Sequence, residues 1–188
     1  DDRIVNHCQD NHINVLMTSN ACKTGTDRVY EASKQVEADI YINVQGDEPI
    51  IDPENIKKVI NVSANNPIQV VATMSNIDEK EFFSNTIPKV VTRLDNRLLY
   101  ASRAGIPTTK SLEFIYSKKQ IGIYAFPKQS LIDFVSVDNK TPLEALEDIE
   151  ILRFLELGYE VQMVELDDNS FAIDIPADVK KVEAILNV

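Results

Sequence analysis

Tryptophan is absent from this 188-residue chain, and glycine (5), cysteine (2) and histidine (2) are scarce. Cys8 and Cys22 fall in neither a Cys-x-x-Cys nor a Cys/His spacing, which excludes a disulfide framework and a structural zinc site. A reducing, cytoplasmic setting is the expectation. No apolar run is long enough to cross a bilayer and no basic-then-apolar leader opens the chain, so no membrane partner is expected. Positive charge is also short: 19 Lys and Arg against 30 Asp and Glu give a net charge of -11 and a pI near 4.6. Such a surface repels nucleic acid and anionic membranes, which counts against a polynucleotide partner. It does not exclude an anionic small substrate, because a cation and a few basic side chains can neutralise one cleft. With 44% hydrophobic residues the chain buries a real core, and its length fits a single domain without repeats or linkers.

Short apolar runs alternate with helix signals. Ile13 to Met17 reads as a strand, and Thr24-Gly25-Thr26-Asp27 caps a helix from about Arg28 to Val36. Ile40 to Val44 is a β-branched run suited to a parallel strand buried on both faces, followed by a helix from Glu54 to Val62 and a strand from Ile68 to Met74. This is a βαβ rhythm. From Lys89 the pattern changes to a hairpin, Lys89 to Arg93 and Arg97 to Ala101, then an aperiodic loop over Gly105 to Ser117 and a strand from Lys119 to Phe126. Leu143, Leu146, Ile149, Leu152 and Leu155 recur every three residues, which predicts one helix over Thr141 to Leu157, ended by Gly158. Val161 to Val164 and a helix from about Pro176 to Leu186 complete the chain.

The segment Asn43-Val44-Gln45-Gly46-Asp47-Glu48-Pro49 stands out. An apolar strand ends there in a tight turn that presents Asp47, ahead of a helix with Asp52 as N-cap and Pro53 at its first position. Ligands of open α/β sheets gather beyond strand carboxyl ends, so Asp47 is placed to hold a metal; an ordinary strand-to-helix turn is the alternative.

Together, Gly25-Thr26-Asp27-Arg28, Asn43 to Pro49, Lys89-Val90-Val91, Ser102-Arg103-Ala104-Gly105-Ile106-Pro107, Gly122-Ile123-Tyr124, Thr141-Pro142-Leu143-Glu144 with Glu147 to Arg153, and Ile173-Asp174-Ile175-Pro176-Ala177-Asp178 resemble the 3-deoxy-manno-octulosonate (KDO) cytidylyltransferases in order and spacing. The likeness covers essentially the whole chain. It implies an α/β, Rossmann-like nucleotidyltransferase of the nucleotide-diphospho-sugar transferase type. The expected sheet is mostly parallel, with an antiparallel excursion between about Lys89 and Phe126 that serves as the dimer region of a homodimer. It further implies transfer of CMP from CTP to the anomeric hydroxyl of an acidic sugar, with magnesium (Mg2+) as cofactor and pyrophosphate released, for surface lipopolysaccharide synthesis.

On this resemblance Asp47 and Asp174 match the metal-binding, catalytic aspartates, although Asp174 can equally cap the helix that starts at Pro176. Arg28, Gln45 and Gly46 match the nucleotide side, and Arg28 reads equally well as a solvated helix charge. Gln45, Arg103, Gln120, Tyr124, Glu147 and Glu150 match the sugar-acid side. For Tyr124 a core position, and for the two glutamates an acidic solvated face, remain open. Lys89 is a further basic candidate that reads slightly better as structural. Two departures weaken the link to KDO itself: Gln120 stands where the family has His, and Ile151 where it has Gln. The family's front βα unit, with its basic glycine-rich triphosphate loop, has no counterpart here, so the chain is expected to lack an N-terminal portion and to be inactive alone. A CMP-sialate-type synthetase and a non-catalytic nucleotide-binding or dimerisation remnant are the alternatives.

Overall fold

The structure is a computed structural model that describes residues 1–167, 172–173 and 175–186. In chain order its elements are α1 (Asp2–Asp10), α2 (Gly25–Ser33), β1 (Ile40–Val44), α3 (Pro53–Asn65), β2 (Val70–Asn76), α4 (Glu79–Phe82), β3 (Lys89–Thr92), β4 (Leu98–Ser102), β5 (Lys118–Pro127), α5 (Lys128–Val135), α6 (Pro142–Glu147), α7 (Ile151–Glu156), β6 (Val161–Glu165) and α8 (Pro176–Leu186). The sheet runs β4-β3-β5-β2-β6, with β1 added to β5. No helix among the described residues is long and apolar enough to cross a membrane.

Period-two alternation divides the core. Val70, Ala72 and Met74 of β2 face one layer with Tyr124, Phe126, Leu131, Phe134, Leu152 and Phe154, while Val71 faces the other with Val59, Ile121, Ile123, Ala125 and Val164. Helices therefore cover both faces, as the α/β reading expects. The expected caps also form: Thr24 and Asp27 make a reciprocal box at α2, and Asp52 accepts from the Glu54 amide at α3, with Pro53 in the first turn.

Three expectations are corrected. The sheet is mixed, and among the described residues only β2 and β6 pair in parallel; β1–β5, β2–β5, β3–β4 and β3–β5 are antiparallel. β1 is thus a half-buried strand on one edge of β5 rather than a doubly covered parallel strand. Ile13 to Met17 forms no strand: Ile13, Leu16 and Met17 stay exposed, with no strand paired to them among the described residues.

The third correction concerns the helix over Thr141 to Leu157, which breaks into α6 and α7 at Asp148, in the left-handed region at φ 52° and ψ 50°. The cause is Arg103. Its Nε donates to the Glu147 carbonyl at 2.6 Å and its Nη2 to the Asp148 carbonyl at 3.0 Å, taking acceptors that a continuous helix would use on residues 151 and 152. The apolar stripe consequently splits, with Leu146 83% exposed and Leu152 fully buried.

α6 and α7 are rejoined by a buried ion pair. Arg153, 2% exposed, donates from Nε and Nη2 to both oxygens of Glu144, each at 2.6 Å, and stacks 3.8 Å from the centre of the Phe134 ring. Removing one member strands the other charge in the core, at a cost of about 3–5 kcal/mol. Glu144→Ala is therefore expected to lower the urea midpoint steeply at an unchanged slope. An unaltered midpoint would contradict this role for the pair.

Candidate functional site

The site forms where β5 lacks a strand neighbour. β2 lies along one edge of β5; β3 and β1 share the other, β3 beside Lys118 and Lys119 and β1 beside Ile123 to Pro127. Residues 121 and 122 fall in the gap, the Gln120 amide still donating to the Pro88 carbonyl beside β3, and a register shift opposite Ala72 and Thr73 bends β5 at the same place. Into this gap folds the turn after β1. The Gln45 amide donates to the Gly122 carbonyl at 2.8 Å, and the Gly122 amide donates to Glu48 Oε1 at 2.6 Å. Only glycine fits there, since a Cβ on residue 122 would lie 2.7 Å from Glu48 Oε1 and 2.9 Å from Gln45 Cβ.

Beside this clamp opens a cleft of about 730 Å3, lined among others by Gln45, Asp47, Glu48, Arg103, Gln120, Tyr124 and Glu150. Asp47 is exposed, and its carboxylate has no hydrogen-bond or ion-pair partner among the described residues. The Ile173 amide donates to the Asp47 carbonyl at 2.8 Å, so the chain next to residue 174 reaches the same turn. Asp174 itself lies outside the described residues. A single hard carboxylate open to a cleft suits magnesium, which keeps several waters and takes its remaining ligands from substrate phosphates. No group of three or more potential ligands occurs among the described residues.

Gln120 donates from Nε2 to the Tyr124 hydroxyl at 2.5 Å, while its Oε1 is buried without a partner among the described residues. Burial first, then the carboxylates of Glu150, Glu48 and Asp47, push the Tyr124 pKa far above its ordinary value, so the hydroxyl stays protonated. Tyr124 is a core side chain, stacked on Phe126, that also shows its edge to the cleft. Glu150 accepts from the amides of Gly25 and Thr26, at 3.1 and 2.8 Å, where its charge suits the start of α2.

Other expected site residues lie differently. Arg28 does not line the cleft; its Nη1 donates to Thr18 Oγ1 and the Ser19 carbonyl on the exposed side of α2. Gly46 is exposed and is not among the lining residues. Glu147 and Glu150 do not share a face, because the break at Asp148 turns Glu147 to β4. There it accepts from the Ser102 hydroxyl at 2.7 Å, the Arg103 amide at 2.9 Å and the Tyr100 hydroxyl at 3.3 Å. Arg103 borders the cleft, but its guanidinium is occupied by the carbonyls of Glu147, Asn85, Thr86 and Asp148, so it works chiefly as a brace. Lys89 is fully buried, its ammonium bonded to the carbonyls of Ser84, Ile87 and Arg103, and burial with the nearby Arg103 charge lowers its pKa.

Basic lining groups are mostly committed as well. Lys119 pairs with Glu81 at 2.7 Å and Lys181 with Asp178 at 2.5 Å, whereas Lys80 has no partner among the described residues. Sequence reasoning overlooked Glu48 and Gly122 as a linked pair. Both sit inside motifs it had singled out, but their contact spans 74 positions, which no local pattern reveals.

The profile of the cytidylyltransferase family matches residues 1–164. The chain belongs to that family. The 3-deoxy-manno-octulosonate cytidylyltransferase of Acidobacterium capsulatum is 34% identical over 172 residues, spanning 91% of this chain and 70% of that protein. The enzyme of the same name from Desulfatibacillum aliphaticivorans is 36% identical over 193 residues, spanning 99% and 78%. A solved CMP:2-keto-3-deoxy-manno-octonic acid synthetase complexed with CTP matches with a TM-score of 0.91 at 31% identity, covering 100% of this chain and 78% of that one. The mixed sheet of this cytidylyltransferase is thus that of an α/β nucleotidyltransferase.

Two outcomes follow from the geometry of the cytidylyltransferase. Gly122→Ala forces Glu48 and Gln45 away from β5, an overpacking expected to cost about 1–3 kcal/mol. Hydrogen exchange at the Gln45 amide should accelerate, and an unchanged rate would contradict the clamp. Burial alone would raise the Glu147 pKa above its ordinary 4.5, but hydrogen bonds from Arg103, Ser102 and Tyr100 and the Arg103 charge outweigh it and lower it. A carboxyl lowered on folding stabilises above its unfolded pKa and loses that contribution as pH falls through the folded value. Glu147→Gln should therefore be less stable than the parent at pH 7, with the gap narrowing below about pH 4.5; a gap constant with pH would contradict the assignment.

Proposed function

We propose that this chain transfers CMP from CTP to the anomeric hydroxyl of KDO or a close 3-deoxy-ulosonic acid. The hydroxyl oxygen attacks the α-phosphorus and gives up its proton to solvent, the bond from that phosphorus to the bridging oxygen breaks, and pyrophosphate leaves. The observation that carries this reading is the match, over the full chain, to a synthetase complexed with CTP, with the Asp47 turn opening onto the main cleft. The curated relatives matched do not favour the sialate-type or non-catalytic alternatives.

Asp47 fits a magnesium ion and, with Asp174, would hold it. Bound there, the ion would neutralise charge developing at the α-phosphate and lower the pKa of the attacking hydroxyl. No side-chain general base is needed. The chain's own share is orientation: Gln45 offers its side-chain amide to the cleft, the protonated Tyr124 hydroxyl and the Gln120 oxygen, which has no partner among the described residues, offer a donor and an acceptor to sugar hydroxyls, and Ile151 and Phe154 keep one wall apolar. Lys80 is the cation left to meet the substrate's charge among the described residues. A homodimer in the cytoplasm that supplies CMP-sugar for surface lipopolysaccharide belongs to the same reading; exposed Leu94 and Leu99 on the β3–β4 hairpin support a partner there.

Pyrophosphate release from CTP and KDO should require magnesium, and Asp47→Asn should reduce it on the order of 100-fold, the scale of losing one electrostatic stabiliser. Because the Asp47 carboxylate is exposed and has no partner among the described residues, stability should move by no more than about 0.5 kcal/mol. Full activity of that variant, or turnover in excess EDTA, would sink the proposal.

A further inference from the structure

We infer that Glu48 is a positioning residue that holds the Asp47 carboxylate at the cleft through the Gly122 amide. This rests on the reading of Asp47 as the cation ligand.

The Asp47 side chain has no partner of its own among the described residues, so its direction is set by its backbone. That backbone is tied at Asp47 itself, whose carbonyl accepts from the Ile173 amide at 2.8 Å, and on both sides of it. Before it, the Gln45 amide donates to the Gly122 carbonyl at 2.8 Å; after it, Glu48 Oε1 accepts from the Gly122 amide at 2.6 Å. The backbone amide and carbonyl of Gly122 thus bracket Gly46 and Asp47. The turn's own closing bond is long, from the Glu48 amide to the Gln45 carbonyl at 3.4 Å, and cannot by itself fix the loop. Glu48 is 9% exposed, so its bond to Gly122 is shielded from competing water. Gly122 is placed for this by the gap between β3 and β1, which leaves its amide without a strand partner on that edge of β5.

The length of the side chain matters more than its charge. Aspartate at position 48 is one methylene too short to reach Gly122, whereas glutamine keeps an acceptor oxygen at the same reach.

The test is Mn2+ affinity, read from the electron paramagnetic resonance of free Mn2+ titrated with the protein, with and without CTP, for the parent, Glu48→Asp and Glu48→Gln. Glu48→Asp should weaken Mn2+ binding by about 10-fold or more, the usual effect of losing a group that orients a ligand. Glu48→Gln should stay near the parent. A purely structural role would lower melting temperatures and leave Mn2+ affinity unmoved. If Glu48→Asp does not fold, Gly122→Ala displaces the same carboxylate and carries the measurement. Parent-like Mn2+ binding by the shortened or displaced variant overturns the inference alone. Equal weakening by Glu48→Gln also overturns it, since charge rather than reach would then be responsible. Absence of Mn2+ binding by the parent under both conditions overturns the magnesium reading beneath it.

Discussion

The backbone amide and carbonyl of Gly122 are the constraint on which the candidate site depends. β5 is a long central strand with β2 along one edge, and its other edge is divided between β3 and β1. A strand left unpaired over a few residues must satisfy its backbone elsewhere, because buried amides and carbonyls without partners are costly. Here the turn after β1 supplies both partners, one from its backbone and one from a glutamate side chain. The bond that completes the sheet therefore also brings Asp47 to the cleft. Fold and site share one interaction.

A second constraint is Arg103. Four backbone carbonyls converge on its guanidinium, two of them from the break between α6 and α7. That break sends Glu147 to β4 and Glu150 to the start of α2, so two acids three residues apart serve different elements. Arg103 also accounts for part of the charge balance. The cleft is lined by more acids than bases, and most of its basic side chains are already paired. On the proposed function, a divalent ion at Asp47 would supply the positive charge that an anionic nucleotide and sugar require there.

Much of this was legible in the chain. Thr24 with Asp27 and Asp52 with Pro53 marked helix starts through capping chemistry, which is local, and the structure has both. Motif order identified the family, and Gln45, Asp47, Gln120, Tyr124 and Glu150 do line one cleft. What failed was non-local. The stripe from Leu143 to Leu155 has helical spacing throughout, and only a distant arginine interrupts it. Ile40 to Val44 has the composition of a buried parallel strand, but composition does not reveal which neighbour it will meet. The position of Arg28, bonded to Thr18 and outside the residues that line the cleft, was likewise not readable from its motif. The clamp from Glu48 to Gly122 could not be read, since each residue lies in its own motif and nothing local joins motifs 74 positions apart.

The central claim is that Asp47 carries a divalent ion against bound CTP. Anomalous diffraction from crystals grown with CTP and Mn2+ tests it most directly. The account predicts an Mn2+ peak within coordination distance, on the order of 2.1 Å, of both an Asp47 oxygen and a CTP phosphate oxygen. A peak remote from Asp47, or CTP bound away from this cleft, would contradict it.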